Sequence, residues 1–337
     1  MESSVLPSAS LTQANIEAPV SIAFVIPHKG REQMLVETIE SIAGLDTNGF
    51  AVEIHIVTKN SVLSNDVYSA AKSYPLQVHL APDDVTISAQ RNLGVAATNA
   101  EYIAFLDADI ALASNWLVAM YSELQMADRI LVSAEQRAVT DSPKLELIRT
   151  ALANAETNTE VQFLPGRNLF VAKKNVELVQ GFPEHLETCE DYFFTQALAQ
   201  HGKLFYTGQS TYIHLGEDKA LGPMFKKEIW RGQSNIASIA GRTIPMREWP
   251  SFIMPFAITL GLFVSVMVGI LNVPILGMGI AVIASIPFGL YCIRLYRLVP
   301  KDVSFWDIVC FYGVYFPARM IGTLKGLFSR LRTESHS

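Results

Sequence analysis

From Pro250 to Ile293 the chain contains no Asp, Glu, Lys or Arg. One helix crossing a bilayer needs about 20 apolar residues, so the stretch is long enough to cross twice. Asn272-Val273-Pro274 interrupts it near the middle and reads as a tight turn. The expectation is two antiparallel transmembrane helices, at about 251–271 and 275–293. A buried helical hairpin is the alternative, and the unbroken charge-free length argues against it.

Charge sets an orientation. Beyond Pro250 the basic residues Arg294, Arg297, Lys301, Arg319, Lys325, Arg330 and Arg332 face Asp302, Asp307 and Glu334. The segment therefore carries +4, and a whole-chain charge of −6 leaves −10 for the remainder. The basic residues follow the hairpin, which by the positive-inside rule places that side, and the N-terminal domain with it, in the cytoplasm. The localisation expected is an inner or plasma membrane. So acidic an N-terminal part does not suit a nucleic-acid partner. Residues 294–337 form a basic tail in which 303–331 read as an interfacial amphipathic helix, with a third spanning helix as the alternative. Residues 1–18 lack the pattern of a signal peptide and read as a disordered tail. Cys189, Cys292 and Cys310 have no metal-binding spacing.

The part between, 19–249, alternates apolar runs with helical patterns. Strands are expected at 21–27, 51–58, 76–80, 101–106 and 130–135, with helices at 31–43, 65–73, 86–98 and 114–126. This is an α/β arrangement, a mainly parallel sheet flanked by helices. After a polar connector come a strand near 168–172, helices near 174–180 and 190–201, and short strands at 203–207 and 211–214. The strand Ala100–Leu106 runs directly into Asp107-Ala108-Asp109. Ligands of α/β sheets bind at the carboxyl ends of strands. Two carboxylates there suit a hard divalent cation, Mg²⁺ or Mn²⁺, able to clamp a diphosphate. Taken alone, such a triplet is more often a solvated strand-end loop.

Five segments in order resemble family 2 glycosyltransferases: Ser21–Pro27, Ala89–Gly94, Glu101–Asp109, Gly166–Ala172 followed by Gly181-Phe182-Pro183, and Glu190-Asp191. The resemblance covers about residues 20–240 and implies the GT-A fold. It implies that Asp191 is the catalytic base, with Glu190 beside it. Both acids also favour a helix N-terminus for electrostatic reasons alone. It further implies that Asp109 binds the cation, that Asp107 lies nearer the ribose or the metal's water, and that His214 lies near the metal or diphosphate. Pro27, His28, Thr58, Asn60, Arg91 and Asn92 are expected around the donor. Arg231 is expected on its diphosphate, while Lys226 and Lys227 stay unassigned between diphosphate and anionic lipid. One departure stands out. Thr58 occupies the position where the family carries an acid that holds the nucleotide base, so the nucleotide is left open.

The resulting expectation is a membrane-anchored, inverting, metal-dependent glycosyltransferase that moves one sugar from a nucleotide sugar to a lipid-linked or membrane-soluble acceptor. A polyprenyl-phosphate sugar synthase is one alternative, although Ile110-Ala111 replaces its usual Leu-Gln after the acidic triplet. A non-catalytic membrane scaffold on a degenerate transferase domain is another.

Overall fold

The computed structural model describes residues 18–233, 235, 246, 249–271 and 273–334. Residues 1–17 and Asn272, for which a tail and a turn are expected, lie outside the described residues.

Nine described strands form one sheet in the order β3-β2-β1-β4-β8-β6-β9-β5, with β7 on β9. They are β1 (Val20–His28), β2 (Phe50–Thr58), β3 (Leu76–Leu80), β4 (Tyr102–Leu106), β5 (Ile110–Leu112), β6 (Arg129–Gln136), β7 (Thr159–Val161), β8 (Asn168–Ala172) and β9 (Lys203–His214). Helices α1 (Glu32–Ala43), α2 (Asn65–Ala70), α3 (Ile87–Ala96) and α4 (Trp116–Leu124) separate the early strands. Then follow α5 (Lys144–Ala153), α6 (Lys173–Leu178), α7 (Glu190–Ala199) and α8 (Leu221–Gly232). The last three are α9 (Trp249–Ile270), α10 (Pro274–Tyr296) and α11 (Phe305–Glu334).

The half built from β3, β2, β1 and β4 is parallel, as the alternation predicts. The other half is mixed: β8 runs antiparallel to β4 and β6, and β5 antiparallel to β9. The expected strands at 203–207 and 211–214 are one strand, β9, whose pairing with β6 jumps from Ala134↔Thr207 to Glu135↔Thr211. The polar connector hides α5 and β7, both too short or too polar on their outer faces to show as an apolar run.

Alternation along β1 sends Ile22, Phe24 and Ile26 into one core, with Ile54, Ile56, Leu106 and Trp116, and Ala23 and Val25 into the other, with Ile103, Phe105, Leu169 and Phe194. Strands buried on both faces read as continuous apolar runs, hence their legibility. β2 and β3 lie on one side of β1 and β4 on the other, so the chain reverses direction across the sheet between β1 and β4. The crevice beyond the carboxyl ends of two such strands is the standard ligand position in an α/β sheet.

Among the described residues, α9 and α10 are the two helices long and apolar enough to cross a membrane. They lie side by side, and their glycines set the spacing. A Cβ on Gly261 would fall 2.7 Å from Ala284, and one on Gly277 2.8 Å from the Ser265 carbonyl. Small residues of this kind let membrane helices approach closely. The segment expected as interfacial is the long helix α11. A third core joins it to both domains: Leu145 and Ile148 of α5, Met224 of α8, Ile258 of α9, Leu295 of α10, and Phe311 and Phe316 of α11. Truncating a fully buried Phe such as Phe311 costs about 3–5 kcal/mol.

Candidate active site

The mouth of the crevice gathers residues around Arg91. This side chain, on α3, is 1% exposed and buries a full positive charge. Its Nη1 donates to Glu190 Oε1 at 2.9 Å, and Nη2 donates to Asp107 Oδ1 at 3.0 Å and the Gly166 carbonyl at 3.3 Å. The guanidinium lies 4.9 Å from the Phe182 ring centre. Burial opposes its charge, but Asp107, Glu190 and Asp191 outweigh burial and raise its pKa. One cation thus ties the end of β4 to the start of α7. Removing one partner of a buried pair costs about 3–5 kcal/mol. Gly166 must be glycine for this contact, because a Cβ would stand 2.9 Å from Arg91 Nη2.

α7 begins at Glu190, as its sequence implies. The preceding Cys189 has φ 65°, a left-handed conformation that turns both acids inward. Asp191 Oδ2 accepts from the Gly166 N–H at 3.1 Å and Oδ1 from its neighbour Tyr192 N–H at 2.8 Å. Burial dominates and pushes the Asp191 pKa up, against these hydrogen bonds and Arg91. The Glu190 pKa also rises, from burial and the Asp191 charge. A carboxyl held towards its neutral form suits proton transfer.

At the other end, Asp109 is 6% exposed. Its Oδ2 pairs with Arg31 at 3.2 Å, and Oδ1 lies 3.5 Å from His214 Nε2. The pairing of β5 with β9 sets Ile110 opposite His214, which brings the two together. Burial would raise the Asp109 pKa, but His214 and Arg31 overcome it and lower it. His214 Nδ1 faces Glu217 Oε2 at 3.1 Å and Arg167 Nη1 at 3.2 Å. Burial lowers the His214 pKa, but its contacts with Asp109 and Glu217 more than restore it and raise it above its ordinary value. Glu217 can only accept, so Nδ1–H donates to it, and Nε2 faces Asp109. Glu217 is held well below the usual carboxylate range, against burial, by His214 and Arg149.

The carboxyl ends of β1 and β2 carry no charge at their centre. Pro27 and His28 end β1, opposite Val57 and Thr58 of β2. His28 Nδ1 and Thr58 Oγ1 are 2.8 Å apart, both side chains buried. Burial lowers the His28 pKa, which keeps the ring neutral. Asn60 Oδ1 accepts from the Gly30 N–H at 2.9 Å, fixing the loop after β1. The family's acid is thus replaced by a neutral Thr–His pair, and His28 Nε2 is buried with no partner.

Two expected donor residues stand elsewhere. The Asn92 amide brackets Phe182, donating to its carbonyl and accepting from its N–H, both at 2.8 Å, and donates to Glu184 at 2.9 Å. Arg231 donates to Glu228 at 2.6 Å and lies 4.0 Å from Asp218; Lys227 lies 3.3 Å from Asp218. Arg149 bridges Glu217 (3.5 Å), Asp218 (3.7 Å) and Glu228 (3.2 Å), and Arg319 of α11 reaches Glu228 at 3.6 Å. Sequence reasoning missed Arg31, Arg149, Arg167 and Glu217. Glu217 alone left a local signal, an acid three residues after a candidate ligand His.

Among the described residues no group of three or more His, Cys, Asp or Glu side chains is arranged to hold a metal ion. Asp109 and His214 do form a pair fit to share one cation, with Glu217 behind the imidazole in the usual outer position. Mg²⁺ and Mn²⁺ commonly take one or two carboxylates and complete their shell with phosphate oxygens and water, which fits so small a set.

Residues 23–172 match the model of glycosyl transferase family 2. No curated protein matches the chain. Among solved structures, a mannosyltransferase from Pyrobaculum calidifontis, in complex with GDP-mannose and manganese, aligns with TM-score 0.57 at 13% identity, covering 92% of this chain and 88% of that one. TarS of S. aureus, as residues 1–349 with UDP, aligns with TM-score 0.47 at 14% identity over 89% of this chain and 92% of that one. The former shows the GT-A fold; the latter is too distant to add to it.

Proposed function

We propose that the protein is a membrane-anchored, inverting glycosyltransferase that moves one sugar from a nucleotide sugar to a lipid-linked or membrane-soluble acceptor. The observation that carries this reading is the Arg91 bridge, which binds the strand-end Asp107 to Glu190 and fixes Asp191 beside them. In this reading Asp191 takes the proton of the acceptor hydroxyl as its oxygen attacks the anomeric carbon. The bond from that carbon to the diphosphate breaks on the opposite face, inverting the configuration. Asp191's raised pKa favours its receipt of the proton. Glu190 and Arg91 position it, and Asp107 lies towards the ribose. Asp109 and His214 would hold a Mg²⁺ or Mn²⁺ ion, which when bound neutralises charge on the departing diphosphate. Pro27, His28, Thr58 and Asn60 border the nucleotide. Arg31, 63% exposed and resting on Asp109, is better placed than Arg231 to meet the diphosphate. α9 and α10 would span the membrane with the catalytic domain cytoplasmic, confining the site to the bilayer surface. A scaffold has no need of a buried carboxyl poised to titrate.

The test is a screen of nucleotide sugars with membrane lipid extract, product read by mass and its anomeric configuration by NMR. Inverted product supports the reading. Retained configuration removes the single-displacement mechanism, and no donor consumed with any lipid removes the transferase.

A further inference from the structure

A cavity of about 350 Å³ lies behind the site, between the end of α5, the 161–165 segment and β9. The mechanism above does not use it. Its deeper wall is formed by Leu164, Tyr206 and Tyr212, all at most 5% exposed. The hydroxyls of both tyrosines are occupied: Tyr206 accepts from the Gln136 N–H and donates to Asn154 Oδ1, and Tyr212 donates to Gln136 Oε1. They therefore present ring faces rather than donors. Arg167 is the charged group of the deep wall. Its Nη1 lies 3.7 Å from Glu217 Oε2, but its Nε is buried with no partner. An unpaired buried donor on a cavity wall is satisfied when a ligand oxygen meets it. The mouth carries exposed Phe163, Gln162 and Glu156.

The cavity is linked to the reacting groups through two of its lining residues. Pro165 lines it, and the next residue, Gly166, holds the Asp191 carboxylate. Phe163 stacks on Tyr192, the neighbour of Asp191, at 5.8 Å. A ligand seated here would lie beside the base. The volume is at the lower end of the roughly 300–1,000 Å³ of small-molecule sites. That volume admits one or two saccharide rings. Aromatic faces with one deep donor and polar groups at the rim match a saccharide ring, whose C–H faces stack and whose hydroxyls need partners.

We infer that this cavity is the acceptor subsite and takes the terminal saccharide unit of the acceptor, sugar first, leaving any lipid portion outside along the membrane. This rests on the glycosyltransferase reading, but its test does not depend on turnover. The full chain in lipid nanodiscs is titrated with methyl glycosides of common hexoses and N-acetylhexosamines, with polyprenyl phosphate as the lipid-only comparator, and binding is read by saturation-transfer NMR. At least one methyl glycoside should bind. Ala155→Trp, which fills the cavity, should weaken it at least ten-fold while nucleoside diphosphate binding stays within two-fold. Phe163→Ala, at an exposed rim position that cannot unfold the domain, should also weaken glycoside binding. If no glycoside binds the unaltered protein, or Ala155→Trp and Phe163→Ala leave its affinity unchanged, or only polyprenyl phosphate is lost, the inference is overturned. Glycoside binding without consumption of any nucleotide sugar would sustain the cavity and refute the transferase reading instead.

Discussion

Asp109, buried, and Asp191, half-buried, both stand at the mouth of one crevice, and desolvation acts on both in the same direction. Their neighbours differ. Asp109 faces His214 and Arg31, and its pKa falls. Asp191 has two backbone N–H donors and a more distant share of Arg91, and its pKa rises. The first is a fixed anion, suited to sharing a cation with His214. The second stays near the point of taking up a proton. Two carboxylates of one residue type are thus given different chemistry by what surrounds them.

The largest expected break in this contrast is at Asp191. Asp191→Asn is nearly isosteric and can still accept from the Gly166 N–H, but it cannot take a proton. Transfer should fall by about 10²–10⁴-fold, the usual worth of general-base catalysis. Donor binding, measured by calorimetry, should change by no more than a few-fold. Glu190→Gln should cost less, since Glu190 acts through Arg91. Near-normal transfer by Asp191→Asn, or a loss traced to donor binding, would move the base elsewhere.

The cation end should respond more mildly and in a different quantity. Glu217→Gln keeps the side-chain volume behind His214 but removes the charge that orients the imidazole. Outer partners of this kind are commonly worth about 10–100-fold in metal affinity or activity. The expected result is a higher Mn²⁺ concentration for half-maximal activity, with kcat at saturating Mn²⁺ largely recovered. Activity indifferent to Mn²⁺ and to chelator would remove Asp109 and His214 from any metal role.

How much of this was legible follows from where each signal lies. Asp107, Asp109, Glu190 and Asp191 stand at the ends of strands and helices whose apolar runs are continuous, so position and chemistry could be read together. His214 was legible as the end of β9. Arg31, Arg149 and Arg167 were not, because their partners Asp109, Glu217 and Glu228 are distant in sequence and meet them only in the folded chain. Thr58 was seen as a departure, but its partner His28 appears only in the register of β1 against β2. The tail shows the same limit. Its helical period was readable, whereas its seat was not. α11 lies against α8 at Gly232 and Gly322, where a Cβ on Gly232 would stand 3.0 Å from the Gly322 Cα. Gly322→Leu should therefore separate α11 from α8 and reduce transfer several-fold, without releasing the chain from membranes, as sedimentation after carbonate wash would report.

The smallest effect is on stability, and it tests the electrostatic contrast directly. Because Asp191's folded pKa lies above its unfolded value, the fold binds more protons than the unfolded chain in the window between the two. Its contribution is most favourable below the unfolded pKa and is lost as pH rises through the folded one. Asp109 runs the other way: its folded pKa is lowered, so its stabilisation is present above the unfolded value and is lost as pH falls. Asp191→Asn does not titrate. Relative to the unaltered protein it should gain stability as pH rises from below 4 towards neutrality, by on the order of 1 kcal/mol, the scale of one hydrogen bond's net worth. Urea unfolding of the pair at a series of pH values measures the difference, and the shared titrations of the other groups cancel. Asp109→Asn should show the opposite slope, losing ground to the unaltered protein over the same interval. Equal slopes for the two variants would mean that the two aspartates do not differ in their surroundings as described. A flat Asp191→Asn difference alone would mean that burial does not hold its carboxyl towards the neutral form, and the preference for Asp191 as base would lose its electrostatic ground.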